Sequence, residues 1–301
     1  MVHSSKNPLL DPAHLSKIED LALLARVVVE GNFFGIHRSR RQGQGNEFFQ
    51  YRTYESGEDL KSVDWKVYAK RGELMSKTYQ ESTNANLLIV LDASASMAYQ
   101  GEDSACSKFR YAQMLASCLI YLGHRQGDRI GLFGGAEGSE VWMFPSGGNE
   151  SFKSILTCIG GMSPQGADLG EGAWDKFKSK LPKQATVVYL SDFLENEHLL
   201  ADRLSFARSS RYESICLQVL DPLEQSLPEA EAVRFVELEG EREVSVSPGR
   251  IRSDYQSSMN EHIEKLSTIL ARAGSEFSTL RSDGEIGHGI REFLGMRGSI
   301  R

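Results

Sequence analysis

The sequence is poor in the features that mark secreted, zinc-binding and membrane-spanning chains. It has 4 cysteines in 301 residues, none in a CxxC pair and none near a histidine at zinc spacing. We therefore expect reduced core thiols. The polar start, residues 1–11, lacks the apolar segment of a signal peptide. No apolar run approaches the roughly 18 residues of a membrane-spanning helix. These absences predict a cytoplasmic protein with no integral membrane segment.

A basic excess is also missing. The formal net charge is -7, and residues 87–301 carry 22 Lys/Arg against 30 Asp/Glu. Proteins that bind a phosphate backbone usually show the opposite bias, so no nucleic-acid partner is expected. The basic loop at Arg38, Arg40 and Arg41 is interpreted as a solvated loop. Docking of this loop to an acidic protein surface is the alternative.

From residue 87 onward, apolar runs alternate with helical patterns. Three runs, at residues 87–91, 186–190 and 215–220, are continuously or almost continuously apolar. Such runs are typical of strands that are buried on both faces. Their alternation with helices predicts an α/β fold, a doubly wound and mostly parallel sheet flanked by helices. An edge strand is expected near Val141 to Phe144.

The first 86 residues are predicted to be an N-terminal extension packed on the α/β domain, which covers residues 87–301. The extension has one helix that begins at Pro12 and stops at Gly31, then the basic loop, then an aromatic-rich segment. A short helix near 59–70 and a strand near 73–80 are expected in that segment.

Four residues of the aromatic-rich segment form a candidate cluster: Arg52, Asp59, Asp64 and Trp65. The favoured interpretation is structural. Buried arginine–carboxylate pairs and a tryptophan commonly hold an irregular segment in place. Direct contact of these residues with a partner protein is the alternative.

Two of the apolar strands end in oxygen-bearing side chains. Asp92, Ser94 and Ser96 follow the first, and Ser191 and Asp192 follow the second. The carboxyl ends of parallel strands meet at one edge of the sheet, where ligands bind. One carboxylate and two hydroxyls at alternate positions offer only oxygen, which suits Mg²⁺ or Ca²⁺. The alternative is that these residues cap the next helix and bind no metal.

The run from Asp92 to Met97 resembles the metal-ion-dependent adhesion site of von Willebrand factor A domains, and Asp192 matches a later aspartate of that site. The resemblance implies a von Willebrand factor A-like (Rossmann-like) fold that binds Mg²⁺ or Ca²⁺. It also implies a threonine ligand from an intervening loop. Here that position is Ala167, which cannot ligate, so Asp168 or Ser163 is expected to compensate.

The segment upstream narrows the resemblance. It contains four motifs: Glu47-Phe48, Arg52-Thr53-Tyr54, Gly57-Glu58-Asp59-Leu60 and Val63-Asp64-Trp65-Lys66. These motifs are similar to those of the bacterial domain-of-unknown-function fifty-eight family. Two positions depart from the family's pattern, since Glu58 and Lys61 stand where Asp and Arg are usual. The resemblance covers residues 10–295. It implies a protein-binding adaptor or chaperone-like module that works with a MoxR-type AAA+ ATPase and a client protein.

Three functions follow from these patterns. The favoured one is a non-enzymatic binding module in which the cation bridges to an acidic group of a partner. The second is a metal-free scaffold, in which Ala167 marks a site that has lost its ion. The third is a Mg²⁺-dependent phosphohydrolase with Asp92 as nucleophile. Such enzymes usually have a second aspartate two residues on, where this sequence has Ser94.

Overall fold

The computed structural model describes residues 10–33, 42–54, 63–80, 85–194, 197–209, 211–228, 233–236, 243–246 and 248–299. The helices are α1 (Pro12–Leu15), α2 (Leu21–Phe33), α3 (Trp65–Arg71), α4 (Lys108–Gln126), α5 (Asn149–Gly161), α6 (Glu171–Lys180), α7 (Glu197–Arg203), α8 (Pro222–Gln225), α9 (Pro248–Ala273) and α10 (Ile286–Ser299). The strands are β1 (Gln42–Thr53), β2 (Met75–Gln80), β3 (Asn86–Asp92), β4 (Arg129–Gly135), β5 (Val141–Ser146), β6 (Ala185–Ser191), β7 (Tyr212–Leu220), β8 (Val233–Val236), β9 (Glu243–Val246) and β10 (Ser275–Arg281).

Six strands form the central sheet, in the order β10-β7-β6-β3-β4-β5. All neighbours are parallel except β5, which runs antiparallel to β4 at one edge. The chain starts in the middle at β3, winds outward to β5, returns to β6 beside β3 and winds outward again. This is doubly wound topology with its switch point between β3 and β6. It confirms the predicted von Willebrand factor A-like (Rossmann-like) class and the edge strand.

Successive side chains of a strand point to opposite faces, and both faces of this sheet are covered. Leu87, Ile89 and Leu91 of β3 belong to the core under α2, α4, α5 and α10. Leu88 and Val90 belong to the second core, under α6, α7 and α9, which is rich in aromatic rings. Burial on both faces explains why these strands are continuously apolar in the sequence.

The N-terminal helices belong to the larger core. Leu24, Ala25 and Val28 of α2 are buried in the same cluster as α4. The single predicted helix is in fact two, which corrects the prediction. Asp20 accepts the backbone N–H groups of the residues that open α2, and an aspartate in this position starts a new helix. Gly31 lies inside α2 and does not end it. The boundary at residue 86 stays a prediction.

The segment between α2 and β3 contains an antiparallel pair, β1 with β2. The basic and glycine-rich composition of residues 37–45 predicts one loop, but residues 42–45 lie in β1. Residues 34–41, and with them the three loop arginines, lie outside the described residues. Helix α3 precedes β2, and the bridge from Val63 to Ser76 ties its start to that strand. A second pair, β8 with β9, precedes α9.

All four cysteines are free thiols. Cys106, Cys118 and Cys216 are buried, as expected, and Cys158 is half-buried. Burial raises the pKa of the Cys106 thiol to about 12. Within the described ranges, no helix combines the length and the apolar character needed to cross a membrane.

Neighbouring leucines of α2 test whether this helix belongs to the core. Leu24 is 0% exposed and Leu23 is 52% exposed. We expect Leu24→Ala to lower the free energy of unfolding by about 2–5 kcal/mol, because it leaves a cavity. The matched control Leu23→Ala should change it by less than about 0.5 kcal/mol. Urea unfolding followed by circular dichroism measures both. Equal, small effects would show that α2 is not part of the core.

Candidate functional site

Asp92 ends β3 and is held by two hydrogen bonds. The backbone N–H of Ser94 donates to Oδ1 at 2.8 Å, and the Ser191 hydroxyl donates to Oδ2 at 2.7 Å. Parallel pairing of Leu91 with Leu190 brings Ser191 beside Asp92. The Ser191 oxygen also accepts the backbone N–H of Phe193 at 3.0 Å. The ends of β3 and β6 are therefore joined through one carboxylate.

The two serines of the motif lie together after Asp92. Their hydroxyl oxygens, Ser94 Oγ and Ser96 Oγ, are 3.1 Å apart. Ser94 is buried and Ser96 is half-buried in a short 3₁₀ helix, Ala95–Ala98. Ser94 makes no side-chain capping hydrogen bond to this helix. The capping alternative therefore does not account for its hydroxyl.

A second loop lies against the first. The Gln165 N–H donates to the Ala93 carbonyl at 2.9 Å, and the Ala95 N–H donates to the Gly166 carbonyl at 2.9 Å. These two bonds place the loop between α5 and α6 directly beside the Asp92 motif. The structure thus brings together the ends of β3 and β6 and the intervening loop, as the sequence predicted.

The intervening loop supplies different groups from those expected. Ala167 is exposed, and only its backbone bonds to the site region, accepting the Glu137 N–H at 3.1 Å. Ser163 is also exposed. Asp168 forms an ion pair through Oδ2 with Arg203. Its other oxygen, Oδ1, is buried without a hydrogen-bond partner.

Sequence reasoning missed a buried lysine at this edge of the sheet. The fully buried Lys108 ammonium, at the start of α4, donates to Asp192 Oδ2 at 2.7 Å and to Glu224 Oε1 at 2.6 Å. Burial lowers the pKa of Lys108, but the two carboxylates outweigh burial and raise it. Lys108 therefore stays protonated and fixes Asp192 at the site.

A further aspartate positions Glu224. Asp221 follows β7, accepts the Ser104 hydroxyl at 2.5 Å and forms a capping box with Glu224 at the start of α8. The Asp221 N–H donates to Glu224 Oε2 at 2.8 Å. A sequence signal was available, because Asp221 and Glu224 are spaced as a capping box directly after an apolar run.

The edge carries more buried negative than positive charge. Lys108 faces two carboxylates, and Asp92 adds a third. Burial, followed by the negative charges of Asp192 and Asp168, raises the pKa of Asp92 to about 7. Burial also raises the pKa of Glu224, despite Lys108. Either a proton on Asp92 or an added cation relieves this excess.

The donor set fits a hard cation. Asp92, Ser94 and Ser96 offer only oxygen, and the unpartnered Asp168 Oδ1 is a further donor. Among the described residues, no group of three His, Cys, Asp or Glu side chains is arranged to hold a metal. Water or a partner's carboxylate would have to complete the shell. Asp192, paired with Lys108, would contribute mainly its charge. Ligation by these residues stays a prediction.

The upstream cluster is only partly described. Asp64 is buried and caps α3, accepting the N–H groups of Lys66 at 2.9 Å and Val67 at 3.3 Å. Trp65 lies on the surface, 57% exposed. This corrects the expectation that Trp65 holds the segment from within. Asp59 and the side chain of Arg52 lie outside the described residues.

The sheet topology is that of a von Willebrand factor A-like α/β protein. Residues 50–265 match the family described as "Protein of unknown function DUF58", and the chain belongs to that family. The uncharacterized protein Rv1480 of Mycobacterium tuberculosis is 25% identical over 280 residues, 91% of this chain and 86% of that protein. The uncharacterized protein YeaD of Bacillus subtilis is 31% identical over 106 residues, 35% of this chain and 24% of that protein.

Solved structures with a similar fold include the conserved hypothetical protein BatB from Bacteroides thetaiotaomicron. It covers 71% of this chain and 100% of its own, with a TM-score of 0.48 and 18% identity. The SpRpn10 VWA domain covers 69% of this chain and 94% of its own, with a TM-score of 0.39 and 11% identity.

The raised pKa of Asp92 predicts a pH effect on stability. The folded pKa, about 7, lies above the ordinary value of 3.8. Protonation therefore favours the folded state, and this contribution is lost as the pH rises through 7. In EDTA, the free energy of unfolding of wild type should fall by about 2–3 kcal/mol more than that of Asp92→Asn when the pH is raised from 5 to 8. The exposed control Asp175→Asn should follow wild type. Parallel curves for wild type and Asp92→Asn in urea unfolding would contradict the prediction.

Proposed function

We propose that this protein is a protein-binding adaptor with a cation-dependent site at the carboxyl edge of its sheet. Mg²⁺ or Ca²⁺ binds Asp92, Ser94 and Ser96 there. The observation that carries the proposal is the pair of serine hydroxyls, Ser94 Oγ and Ser96 Oγ, which lie 3.1 Å apart directly after the buried Asp92 carboxylate, at an edge with excess buried negative charge. A cation held by few charged ligands keeps much of its charge, which attracts an acidic group of a partner.

Binding is favoured over catalysis by the residue two positions after Asp92. Aspartate-nucleophile phosphohydrolases usually have a second aspartate there as the general acid, and this chain has Ser94. We therefore assign no catalytic residue.

The proposed partner is a MoxR-type AAA+ ATPase, with a client protein delivered through the cation site. Support for this partner comes from the sequence resemblance. In the proposed site, Asp92, Ser94 and Ser96 supply only part of the ion's shell, so water or an acidic group of the partner supplies the rest.

A metal-free scaffold is the second candidate, and Lys108 favours it. Its ammonium already supplies positive charge to Asp192, and Ala167 offers no side-chain ligand. In this case the same edge would dock a partner without an ion.

Calorimetric titration with MgCl₂ and CaCl₂ tests the cation directly. Wild type should bind at least one of the two ions. Asp92→Ala should weaken binding by more than about tenfold, and Ser96→Ala should also weaken it. The exposed controls Ser179→Ala and Asp175→Ala, neither of them a candidate ligand, should bind as wild type does. Circular dichroism verifies that each variant is folded.

The same variants then test the partner. An immobilised MoxR-type AAA+ ATPase should retain wild type in Mg²⁺ and release it in EDTA, and it should not retain Asp92→Ala. Retention that is equal in Mg²⁺ and EDTA, without heat from either ion, would favour the scaffold.

Lys108→Met separates the two candidates. In the absence of divalent ions, this substitution leaves Asp192 and Glu224 without the Lys108 ammonium, and it should lower the free energy of unfolding by about 3–5 kcal/mol. If the site binds Mg²⁺, the variant should bind it more tightly than wild type, because the edge has gained a net negative charge, and saturating Mg²⁺ should restore part of the stability. The exposed control Lys176→Met should behave as wild type does. A destabilised variant that gains nothing from Mg²⁺ would support the scaffold.

A further inference from the structure

Helix α3 carries two aromatic side chains that the fold does not bury. Trp65 is 57% exposed and Tyr68 is 44% exposed. The two residues are three positions apart, so they share one side of the helix. Their ring centroids are 6.2 Å apart and the rings are nearly perpendicular, at 89°. No residue of α3 is buried.

The helix is held by its ends. Asp64 caps its first turn, and Gly72 ends it in the left-handed conformation, with φ 71°, donating its N–H to the Tyr68 carbonyl at 2.8 Å. The bridge from Val63 to Ser76 fixes the chain before it. The aromatic pair is therefore presented on an anchored element, although its burial contributes little to the fold.

Basic side chains surround the aromatic pair. Lys66, Lys70 and Arg71 are exposed, and none of them has an ion-pair partner in the part of the chain that the structure describes. Glu73 is the one exposed acid among residues 64–75. Lys70 and Arg71 lie in the last turn of α3, where positive charge interacts favourably with the helix dipole. This interaction does not explain why the two aromatic rings are exposed. Residues 64–75 therefore expose three cations and one acid, in a chain whose net charge is -7.

A cleft adjoins the same helix. It has a volume of about 230 Å³ and is lined by Val67, Lys70, Arg71 and Met75. Its apolar walls come from Val67 and Met75, and the two cations border it. A cleft of this composition suits an acidic side chain next to an apolar one.

We propose that α3 and its cleft form a docking surface for an acidic segment of a partner protein, separate from the cation site. We call it the α3 face, defined by Trp65, Lys66, Val67, Tyr68, Lys70, Arg71 and Met75. Apolar side chains of the segment pack on Trp65 and Tyr68, and its carboxylates pair with the cations. Exposed tryptophan and arginine are residues on which binding energy concentrates. The apolar walls of the cleft, Val67 and Met75, favour an acidic protein segment that also carries apolar side chains over the phosphate backbone of a nucleic acid.

The test uses fluorescein-labelled synthetic peptides in which Asp and Glu alternate with Leu and Phe. Matched peptides replace either the acids with Lys or the apolar residues with Ser. Fluorescence anisotropy is measured in EDTA, so the result does not depend on the cation site. The acidic apolar peptides should bind wild type, and binding should weaken with added salt. The peptides with Lys in place of the acids, and those with Ser in place of the apolar residues, should both bind wild type at least about tenfold more weakly than the acidic apolar peptides do.

Variants locate the binding surface. Trp65→Ala should weaken binding by about tenfold or more, and Lys70→Glu combined with Arg71→Glu should do the same. Phe144→Ala, at 54% exposure on β5, is the control for loss of an exposed ring. Lys153→Glu combined with Lys176→Glu is the control for reversal of two exposed charges. Both controls should bind the peptide as wild type does.

Several results would overturn the proposal. One is equal binding of the peptide by the α3 variants and their controls. Another is a Kd above about 1 mM for every acidic apolar peptide, which corresponds to a binding free energy weaker than about 4 kcal/mol. Tighter binding of single-stranded DNA or RNA, lost in Trp65→Ala, would identify a nucleic-acid surface instead. Concentration-dependent self-association in sedimentation, abolished by Trp65→Ala, would identify a second copy of the chain as the occupant.

Discussion

The carboxyl edge of the sheet depends on one buried ammonium group. Lys108 lies at the start of α4, and its two carboxylate partners lie after β6 and in α8. A buried charge without partners is strongly unfavourable, so these three segments fix one another. Because α4 is the central helix of the larger core, the same ion pairs tie the edge of the sheet to the main body of the fold.

This constraint also sets the charge of the candidate site. Lys108 offsets one of its two carboxylate partners, and within the described ranges no positively charged group bonds to Asp92. The hydrogen bonds from Ser94 and Ser191 hold the Asp92 carboxylate in place, but they do not neutralise it. In the proposed function, a proton and a divalent cation compete for this same carboxylate.

The sequence was informative where structure is local or periodic. The apolar runs predicted the buried strands, and the short spacing of Asp92, Ser94 and Ser96 predicted that their side chains meet in one turn. Asp192 was placed at the same edge because the carboxyl ends of parallel strands coincide. These inferences need only a strand, its neighbour and the direction of pairing.

The remaining features depend on long-range pairing. A lysine at the start of an amphipathic helix is usually solvated, so its burial between Asp192 and Glu224 could not be inferred from nearby residues. The pair of Asp168 with Arg203 likewise joins the intervening loop to α7. Trp65 is the opposite case. Its grouping with Arg52, Asp59 and Asp64 favoured a structural role in holding the segment, whereas the two caps of α3 hold the helix and the indole lies on the surface.

The two proposed surfaces differ in the charge they offer, and this difference has a consequence for function. As proposed, the carboxyl edge binds acidic groups only through an added cation, whereas the α3 face carries its own lysine and arginine side chains. Removing divalent ions therefore disables the first surface and leaves the second intact. A chain with both can stay attached to one protein while it releases another. Keeping one partner attached raises the effective concentration of the other contact, so even a weak, ion-dependent contact is sufficient for an adaptor.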